Sequence, residues 1–356
     1  MPLTVPAWAA PAPGAPLEPI TITRRDPGDH DILIEIAYTG ICHTDLHHLR
    51  SDWGPGIFPL VPGHEITGTV TAVGPAVTRY AVGDRVGVGC LIDSCRRCPA
   101  CLRGDEQYCA RGHTATYNSR DDRGEPNHGG YSTHLVVDER YAVRVPDALP
   151  LDRAAPLLCA GVTAYAPLAR HGVTAGTRVA VVGLGGVGHL AVRIAHAMGA
   201  EVTVLSRSPR KKDDALRLGA TALHATSDPE VFEKLAGSFD LILNTVSGDI
   251  DLDAHLRLLG LDGTLVGLGV PERPVTFGMF SLLLGRRSVE GSLFGGIAET
   301  QRTLDFCARH SVVAETEKVS AAGLNEALGR LGTGDVRYRF VIDAASFASP
   351  PATAGR

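Results

Sequence analysis

Residues 177–212 read TRVAVVGLGGVGHLAVRIAHAMGAEVTVLSRSPRKK. The segment begins with an apolar run at 178–182, passes through a glycine-rich turn, and continues over 190–198 with apolar residues at helical spacing. Gly199 follows, where a helix stop is expected, and a second apolar run occupies 201–205. The pattern predicts strand, turn, helix and strand, which is the repeating unit of a parallel α/β sheet.

The turn carries three glycines at the spacing G-x-G-x-x-G, namely Gly183, Gly185 and Gly188. Between a strand and a helix, this spacing is typical of sites that bind the pyrophosphate of a dinucleotide. The first glycine permits the tight turn, the second lets backbone approach the pyrophosphate, and the third lets the helix pack on the strand. The helix N-terminus then offers N–H groups to the anion. A glycine-rich loop without a ligand is the alternative, and the flanking elements disfavour it.

The end of the second strand indicates which dinucleotide is bound. An NAD site usually places Asp or Glu here to bind the ribose 2′-hydroxyl, but this chain has Ser206 followed by Arg207, Ser208, Arg210 and Lys211. Hydroxyls and cations bind a 2′-phosphate, which a carboxylate would repel. The sequence therefore predicts NADPH rather than NADH. A solvated basic loop is the alternative interpretation.

The composition of the whole chain limits the class of protein. A chain of 356 residues, with 44% hydrophobic and 21% charged residues, predicts a globular protein of two domains. The net charge of −5 provides no electrostatic reason to expect a nucleic acid or an anionic membrane as partner. No run approaches the ~18 apolar residues of a membrane span, and residues 1–19 lack a signal-peptide pattern. A cytoplasmic location is expected, so the eight cysteines are expected to be reduced.

The order of the elements suggests where the two domains lie. Residues 20–145 contain short alternating runs separated by Pro, Gly and Asp, which is typical of a barrel-like β domain. After Pro156 strands and helices alternate, with a helix predicted at 162–171. Buried parallel strands are predicted at 240–246, 263–268 and 288–292, followed by a helix at 299–308. A last strand, at 339–343, is predicted to return to the first domain.

Four cysteines cluster within one short segment, at Cys95, Cys98, Cys101 and Cys109. Four soft ligands in one loop suit a closed tetrahedral zinc site, which leaves no position for substrate and is therefore structural. Buried thiols or two disulfides are alternatives that this spacing makes improbable. A zinc-ribbon module for nucleic acid is a further alternative, disfavoured because the lobe lies inside a longer domain of an acidic chain.

A second group of metal-binding residue types is dispersed along the chain: Cys42, His64, Glu65 and Cys159. Spacing alone would make this a weak signal. These residues, however, lie in motifs that resemble the zinc-containing medium-chain alcohol dehydrogenases, and most closely their cinnamyl-alcohol-dehydrogenase-like aldehyde reductase branch. The resemblance covers nearly the whole chain. The matching motifs occur in order at 40–47, 63–65, 83–87, the four-cysteine lobe, 183–189, 239–246 and 335–343.

The resemblance implies a fold and its division. A GroES-like β-barrel catalytic domain would comprise residues 1–156 and 297–356, with the structural zinc lobe at 90–112. A Rossmann domain, a doubly wound parallel sheet that binds NADP, would span 157–296. Relatives commonly form homodimers through edge strands of the nucleotide domain, which here correspond to residues 288–294.

The resemblance also implies roles at the metal. Cys42, His64 and Cys159 would bind a catalytic zinc with one open position, and Glu65 would be an alternative ligand or a neighbour of the metal. Asp45 would hydrogen-bond His64 and fix its ring. Thr44 and His47 look like the family's proton relay, with the nicotinamide ribose between them.

The resemblance also implies a substrate pocket and a set of cofactor-binding positions. Trp53, Leu91 and Phe294 fall where relatives build an apolar substrate pocket, although ordinary core is an equally good interpretation of the last two. Cys90 and Cys307 match no ligand position and are predicted to be buried thiols. The implied cofactor-binding residues are His43, Thr163, Gly183, Leu184, Gly185, Gly186, Val187, Gly188, Ser206, Arg207, Ser208, Lys211, Val270, Ser292, Phe294 and Arg339.

The implied function is reversible hydride transfer between NADPH and an aldehyde, with two zinc ions per chain. An NADPH-dependent reductase of an activated C=C or iminium bond on the same fold is the alternative. The chain keeps Thr44, His47 and the zinc-ligand residues. This argues against the alternative reductase and against a protein without enzymatic activity.

Overall fold

The computed structural model describes residues 2–348 and divides the chain into two compact units. The first, here called the β unit, ends at Cys159 and resumes at Gly295; the second, the α/β unit, spans Ala160–Phe294. These divisions lie within a few residues of the predicted domain limits, and Cys159 falls in the β unit. No helix of the described chain combines the length and the apolar character needed to span a membrane.

The strands, numbered in chain order, are β1 (Leu3–Ala9), β2 (Glu18–Arg24), β3 (Asp31–Ile41), β4 (Ile66–Val73), β5 (Arg85–Val88), β6 (Leu91–Asp93), β7 (Thr114–Ala115), β8 (His134–Asp138), β9 (Val143–Arg144), β10 (Arg178–Val182), β11 (Glu201–Ser206), β12 (Ala222–Ala225), β13 (Phe239–Asn244), β14 (Leu259–Gly267), β15 (Ser288–Gly291), β16 (Thr316–Val319) and β17 (Arg339–Asp343).

The α-helices are α1 (His43–Arg50), α2 (Pro99–Leu102), α3 (Leu151–Ala154), α4 (Ala160–Arg170), α5 (Gly188–Ala197), α6 (Lys212–Arg217), α7 (Glu230–Lys234), α8 (Leu252–Arg257), α9 (Phe280–Leu283), α10 (Ile297–Arg309) and α11 (Leu324–Thr333). Short 3₁₀ turns occupy Glu106–Tyr108, Glu139–Tyr141, Ala155–Leu158, Pro209–Lys211, Ala321–Gly323 and Ala344–Ala348.

The β unit is built around a seven-stranded sheet of order β16-β17-β3-β4-β5-β9, in which β8 also pairs with β3. Strand β3 lies inside this sheet, between β17 and β4. Its alternate residues Ile32, Ile34 and Ile36 are all buried, because alternate side chains of a strand point to the same face of the sheet. Strand β17 pairs antiparallel with β3, so the predicted return of the chain to the first domain is confirmed. Small two-stranded sheets, β1-β2 and β6-β7, complete the unit.

The α/β unit contains a six-stranded parallel sheet of order β12-β11-β10-β13-β14-β15. The strand order reverses beside β10, the strand that precedes the glycine turn, and ligands of such sheets bind at this reversal, outside the carboxyl ends of the strands. Residues 179–182 are all buried, which explains why β10 reads as a continuous apolar run. The predicted strand–turn–helix–strand unit is therefore present as β10, α5 and β11.

Candidate active site

Cys42, the first residue of the dispersed metal-binding group, lies at a junction between a strand and a helix. Strand β3 ends at Ile41, and Cys42 is the N-cap of α1. Asp45, in the first turn, accepts a hydrogen bond of 2.8 Å from the Cys42 backbone N–H and so caps the helix. This local geometry holds Cys42, Thr44 and Asp45 on one turn of backbone.

The remaining members of the dispersed group come from distant parts of the chain. His64 and Glu65 directly precede β4, and Cys159 follows the 3₁₀ turn Ala155–Leu158. Ligand atoms of Cys42, His64, Glu65 and Cys159 all lie within 4.8 Å of one another. The structure thus brings together the four side chains that the sequence analysis associated with a catalytic metal.

The chemistry of this group fits zinc. His64 Nε2 and Glu65 Oε2 are buried and have no hydrogen-bond partner within residues 2–348. A buried polar atom without a partner costs about 1–3 kcal/mol, so such atoms in a native site call for an ion or water. Two thiols and an imidazole are ligands that zinc prefers, and three protein ligands leave a position open for substrate.

The electrostatics of the group favour metal binding. A hydrogen bond between the thiols lowers the pKa of Cys42 well below its usual range and raises that of Cys159. The lowered pKa of Cys42 favours its thiolate form, which is the form that binds a metal. Burial raises the pKa of Glu65 to about 7, although the nearby Arg339 opposes this shift. Arg339 is itself buried in β17, and its Nη2 pairs with Glu65 Oε1.

Asp45 is fully buried beside the ring of His64. Its Oδ1 lies 3.4 Å from His64 Nδ1 and accepts a bond of 3.2 Å from the Gly63 backbone N–H. A carboxylate at Nδ1 leaves Nε2 as the ring nitrogen available to a metal. Within residues 2–348 His64 Nδ1 has no hydrogen-bond partner, so the hydrogen bond expected from Asp45 stays a prediction.

Thr44 and His47 both lie on α1. The Thr44 hydroxyl is 3.6 Å from Cys42 Sγ. His47 is half-buried; its Nδ1 lies 2.9 Å from Asp52 Oδ2, and its ring stacks on Trp53 with centroids 4.5 Å apart. Thr44 therefore lies at the ligand cluster, and His47 is held by a carboxylate and an aromatic face.

The four-cysteine lobe forms a second cluster, in which the sulfur atoms of Cys95, Cys98, Cys101 and Cys109 lie within 4.8 Å of one another. Hydrogen bonds from the backbone N–H groups of Ala110 and Cys101 lower the pKa of Cys98 to about 6. Ser94 Oγ lies 3.2 Å from Cys101 Sγ. The cluster has the donor set and closed geometry of a structural zinc site.

The glycine turn of the α/β unit has the backbone that the fingerprint requires. Gly183 follows β10 with a φ of +91°, a conformation that L side chains rarely adopt. A Cβ at Gly188 would lie 2.2 Å from the Gly183 carbonyl oxygen, so only glycine allows α5 to begin there. Leu184 is buried, Gly186 and Val187 are half-buried, and Gly185 is exposed and open to a ligand.

The basic turn after β11 lies beside this glycine turn. Lys211 Nζ donates a hydrogen bond of 2.9 Å to the Leu184 carbonyl. Ser206 and Ser208 are half-buried, and Arg207 is exposed. A cation is therefore fixed at the glycine turn, and two hydroxyls accompany it at the end of β11.

The other predicted cofactor residues are spread over both units. In the β unit, His43 is exposed on α1. In the α/β unit, Thr163 is half-buried on α4, Val270 is exposed after β14, and Ser292 and Phe294 are half-buried after β15. Their contacts with a cofactor stay predictions, as does that of Arg339. Among the predicted pocket residues, Leu91 is buried core, whereas Trp53 is 46% exposed.

Two neighbours of the metal ligands were not predicted. Cys90 is half-buried, so its prediction as a buried thiol was wrong, whereas it lies outside the ligand group as predicted. It is close enough to Cys159 to raise the pKa of that thiol. Cys307 is buried as predicted. The ring of Tyr117 stacks on His64, with centroids 5.8 Å apart. The contacts of Cys90 with Cys159 and of Tyr117 with His64 could not be predicted from sequence spacing, because each joins residues far apart in the chain.

Comparison with known proteins agrees with this geometry. The family model of the alcohol dehydrogenase GroES-like domain matches residues 28–147, and that of the zinc-binding dehydrogenase matches residues 186–309. The chain is similar to NADP-dependent alcohol dehydrogenase C 1 of Mycolicibacterium smegmatis, with 58% identity over 347 residues that cover 97% of this chain and 99% of the relative.

Solved structures are similar over almost the whole fold. A cinnamyl alcohol dehydrogenase from Sorghum bicolor has 43% identity and a TM-score of 0.95, covering 99% of this chain and 100% of that one. CAD from Helicobacter pylori, complexed with NADP(H), has 40% identity and a TM-score of 0.91, covering 97% and 99%. The predicted combination of a GroES-like domain and a Rossmann-type parallel sheet is confirmed. The chain belongs to the zinc-containing medium-chain alcohol dehydrogenase family, in the branch that includes the cinnamyl alcohol dehydrogenases.

Proposed function

We propose that this oxidoreductase interconverts aldehydes and alcohols with NADPH as hydride donor and zinc as Lewis acid. The observation that carries the proposal is the convergence of Cys42, His64 and Cys159, whose group includes a buried imidazole nitrogen without a hydrogen-bond partner in the described chain. When bound there, zinc would polarise the substrate carbonyl. Cys42, His64 and Cys159 would hold it, and Asp45 would keep the His64 ring in position.

Proton transfer is assigned to Thr44 and His47. Reduction of a carbonyl adds a hydride to carbon and a proton to oxygen, so the site needs a proton donor. The Thr44 hydroxyl, close to Cys42 Sγ, would donate this proton, and the half-buried His47 would exchange protons with water. Imidazole suits this step because its unperturbed pKa lies near neutrality.

The cofactor proposed is NADP(H), bound at Gly183, Gly185 and Gly188. The 2′-phosphate form is supported by the cation of Lys211 at the Leu184 carbonyl and by the hydroxyl of Ser206. It is also supported by the lack of an acidic residue in 206–212. The names of relatives that use or bind NADP support the same choice. A second, structural zinc is proposed at the four-cysteine lobe, giving two zinc ions per chain.

The substrates proposed are aliphatic and aromatic aldehydes and the corresponding alcohols. Relatives are named as alcohol, cinnamyl alcohol and probable formaldehyde dehydrogenases, which spans small and aromatic substrates. No observation favours the alternative of C=C or iminium reduction. A cytoplasmic location is proposed because the ligand thiols must stay reduced.

A homodimer is proposed through the free side of β15, the edge strand of the parallel sheet. Edge strands with exposed apolar side chains are prone to pair with another chain. Large apolar side chains are exposed on this strand and on the segments around it, namely Met279, Phe280, Leu283, Leu284, Val289 and Leu293.

Replacing a ligand of the catalytic cluster tests the function. Cys159→Ala is expected to lose one zinc per chain and to lower kcat for aldehyde reduction at least ~100-fold, because the Lewis acid is lost. NADPH binding, followed by cofactor fluorescence, should be nearly unchanged. Cys307→Ala is the matched control. Aldehyde reduction that survives loss of this zinc would refute the proposal.

A further inference from the structure

The Asp45 carboxylate has a second side-chain neighbour besides His64. The Tyr131 hydroxyl donates a hydrogen bond of 3.2 Å to Asp45 Oδ2, the oxygen that also accepts from the Cys42 N–H. Both side chains are fully buried. Burial, followed by the proximity of Asp45, raises the pKa of Tyr131 well above its ordinary value, so the phenol keeps its proton and remains a donor.

Tyr131 also contacts the segment that carries His64. Its backbone N–H donates to the Pro62 carbonyl at 2.9 Å, and the Gly130 N–H donates to the Gly63 carbonyl at 2.9 Å. Tyr131 is thus bonded to the backbone just before His64 and to the carboxylate that lies 3.4 Å from the His64 ring. Any shift of Tyr131 would be transmitted to both.

A buried cation fixes the segment that contains Tyr131. Arg24 is only 7% exposed. Burial lowers its pKa to about 9, which still leaves it charged at neutral pH. Its guanidinium donates to four acceptors of this segment, at 2.6–2.9 Å: the carbonyls of His128, Gly129 and His134, and Ser132 Oγ. Four charge-assisted bonds to one short segment restrict its movement.

We propose that Tyr131 is a positioning residue of the catalytic metal centre, whose hydroxyl, held in place through Arg24, fixes Asp45 and thereby the ring of His64. The inference rests on the proposed binding of zinc by Cys42, His64 and Cys159. A neighbour that orients a metal ligand typically contributes 10- to 100-fold to metal affinity. Tyr131→Phe removes the donor and keeps the ring, so it should weaken zinc binding ~10-fold.

Tyr80→Phe is the matched control. Tyr80 is buried in the same unit, and its hydroxyl donates to the Ala142 carbonyl at 2.8 Å, so the variant deletes an equivalent atom away from the metal cluster. Zinc affinity is measured without substrate or cofactor, by competition with a chromophoric chelator. The catalytic site is identified as the phase that Cys159→Ala removes. Cobalt replacement supplies the absorption spectrum of the metal centre.

Tyr131→Phe is expected to weaken only this phase and to shift the cobalt spectrum, while Tyr80→Phe changes neither. In an Asp45→Asn background, the effect of Tyr131→Phe should largely disappear, because both act through one carboxylate. Unchanged affinity and spectrum in Tyr131→Phe, or an equal loss in Tyr80→Phe, would overturn the inference.

Arg24→Lys provides a second route if Tyr131→Phe does not fold. Lysine keeps the charge but cannot reproduce the fork of bonds, so zinc affinity should fall by more than in Tyr80→Phe. Affinity equal to wild type would contradict the inference. A different result would refute the proposed function, namely aldehyde reduction that persists when Cys159→Ala has removed the zinc.

Discussion

Arg339 and Glu65 form an ion pair whose side chains are 2% and 0% exposed. The guanidinium holds Glu65 Oε1, whereas Oε2 has no hydrogen-bond partner in the described part of the chain. One oxygen of Glu65 is therefore committed to Arg339, and two thiols and His64 provide the remaining donors of the cluster. The ion pair therefore fixes the Glu65 carboxylate beside the cluster and leaves Oε2 as the oxygen that faces the other donors.

Arg339→Met should destabilise the protein by about 3–5 kcal/mol, because it leaves the Glu65 carboxylate buried without its cation. Guanidinium chloride unfolding measures the loss. Arg286→Met is the matched control: its partner Asp262 is exposed, and the loss should stay below about 1 kcal/mol. Equal losses in the two variants would contradict this account of the buried pair.

The four-cysteine lobe should contribute to stability more than to chemistry. Cys98→Ala removes one ligand, and since structural zinc supplies folding energy, a loss of several kcal/mol, roughly 10 °C in Tm, is expected. Kcat for aldehyde reduction by the folded fraction should change less than twofold. Cys307→Ala, a buried cysteine outside the cluster, should cost only about 1 kcal/mol. An unchanged Tm for Cys98→Ala would show that the lobe is not structural.

The parts of the fold that could be predicted from the sequence were those with a local signal. The apolar run, the three glycines and the helical period of residues 178–205 all lie within one short stretch, and the four cysteines lie within another. Strand β12 has no local signal, because Ala222–Ala225 is only four residues long and Leu223 is its one buried residue. Short elements of this kind are stabilised by their neighbours rather than by their own pattern.

In the candidate site, too, residues without a local sequence signal could not be predicted from the pattern alone. Cys42, His64 and Cys159 are far apart in the chain, so their spacing predicts nothing, and only the family resemblance identified them. The bond from Tyr131 to Asp45 and the contact of Cys90 with Cys159 could not be predicted. A lone tyrosine or cysteine has no periodicity, and its partner is determined by the tertiary fold.

Cofactor preference should depend on the end of β11. Ser206→Asp places a negative charge where the 2′-phosphate is expected to bind, so the ratio of kcat/KM for NADPH over NADH should fall at least ~10-fold, or about 1.4 kcal/mol. Steady-state kinetics with both cofactors measures this ratio. Ser206→Ala, which removes the hydroxyl without adding charge, should have a smaller effect. An unchanged ratio in Ser206→Asp would refute the assignment of this turn.

Acid stability should depend on His255 in α8. The side chain is buried, Nδ1 lies 2.7 Å from the Asp251 carbonyl, and burial lowers the pKa of His255 below its ordinary value of 6.5. Below pH 6.5 the unfolded chain takes up this proton before the folded chain does. The free energy of unfolding therefore falls as the pH drops from 6.5 toward the lower folded pKa, and His255 makes no contribution to the slope above pH 6.5.

His255→Leu should remove this contribution. Urea unfolding at several pH values is expected to show a shallower acid slope for the variant, by at most about 1.4 kcal/mol per pH unit, and parallel behaviour at pH 7–8. His171→Leu is a suitable comparison, because His171 pairs with Glu290 at the surface. Identical slopes for wild type and His255→Leu between pH 5 and 6.5 would contradict the prediction.

The free side of β15 should be the contact between two copies of the chain. Leu283 and Leu284 are 63% and 80% exposed in a single chain, so replacing both by lysine costs the isolated fold little but places charges in an apolar interface. Sedimentation should change from twice the chain mass of 37.5 kDa to the monomer. Leu216→Lys, on exposed helix α6, should leave the dimer intact. A wild-type chain that sediments as a monomer, or a double variant that remains dimeric, would rule out this interface.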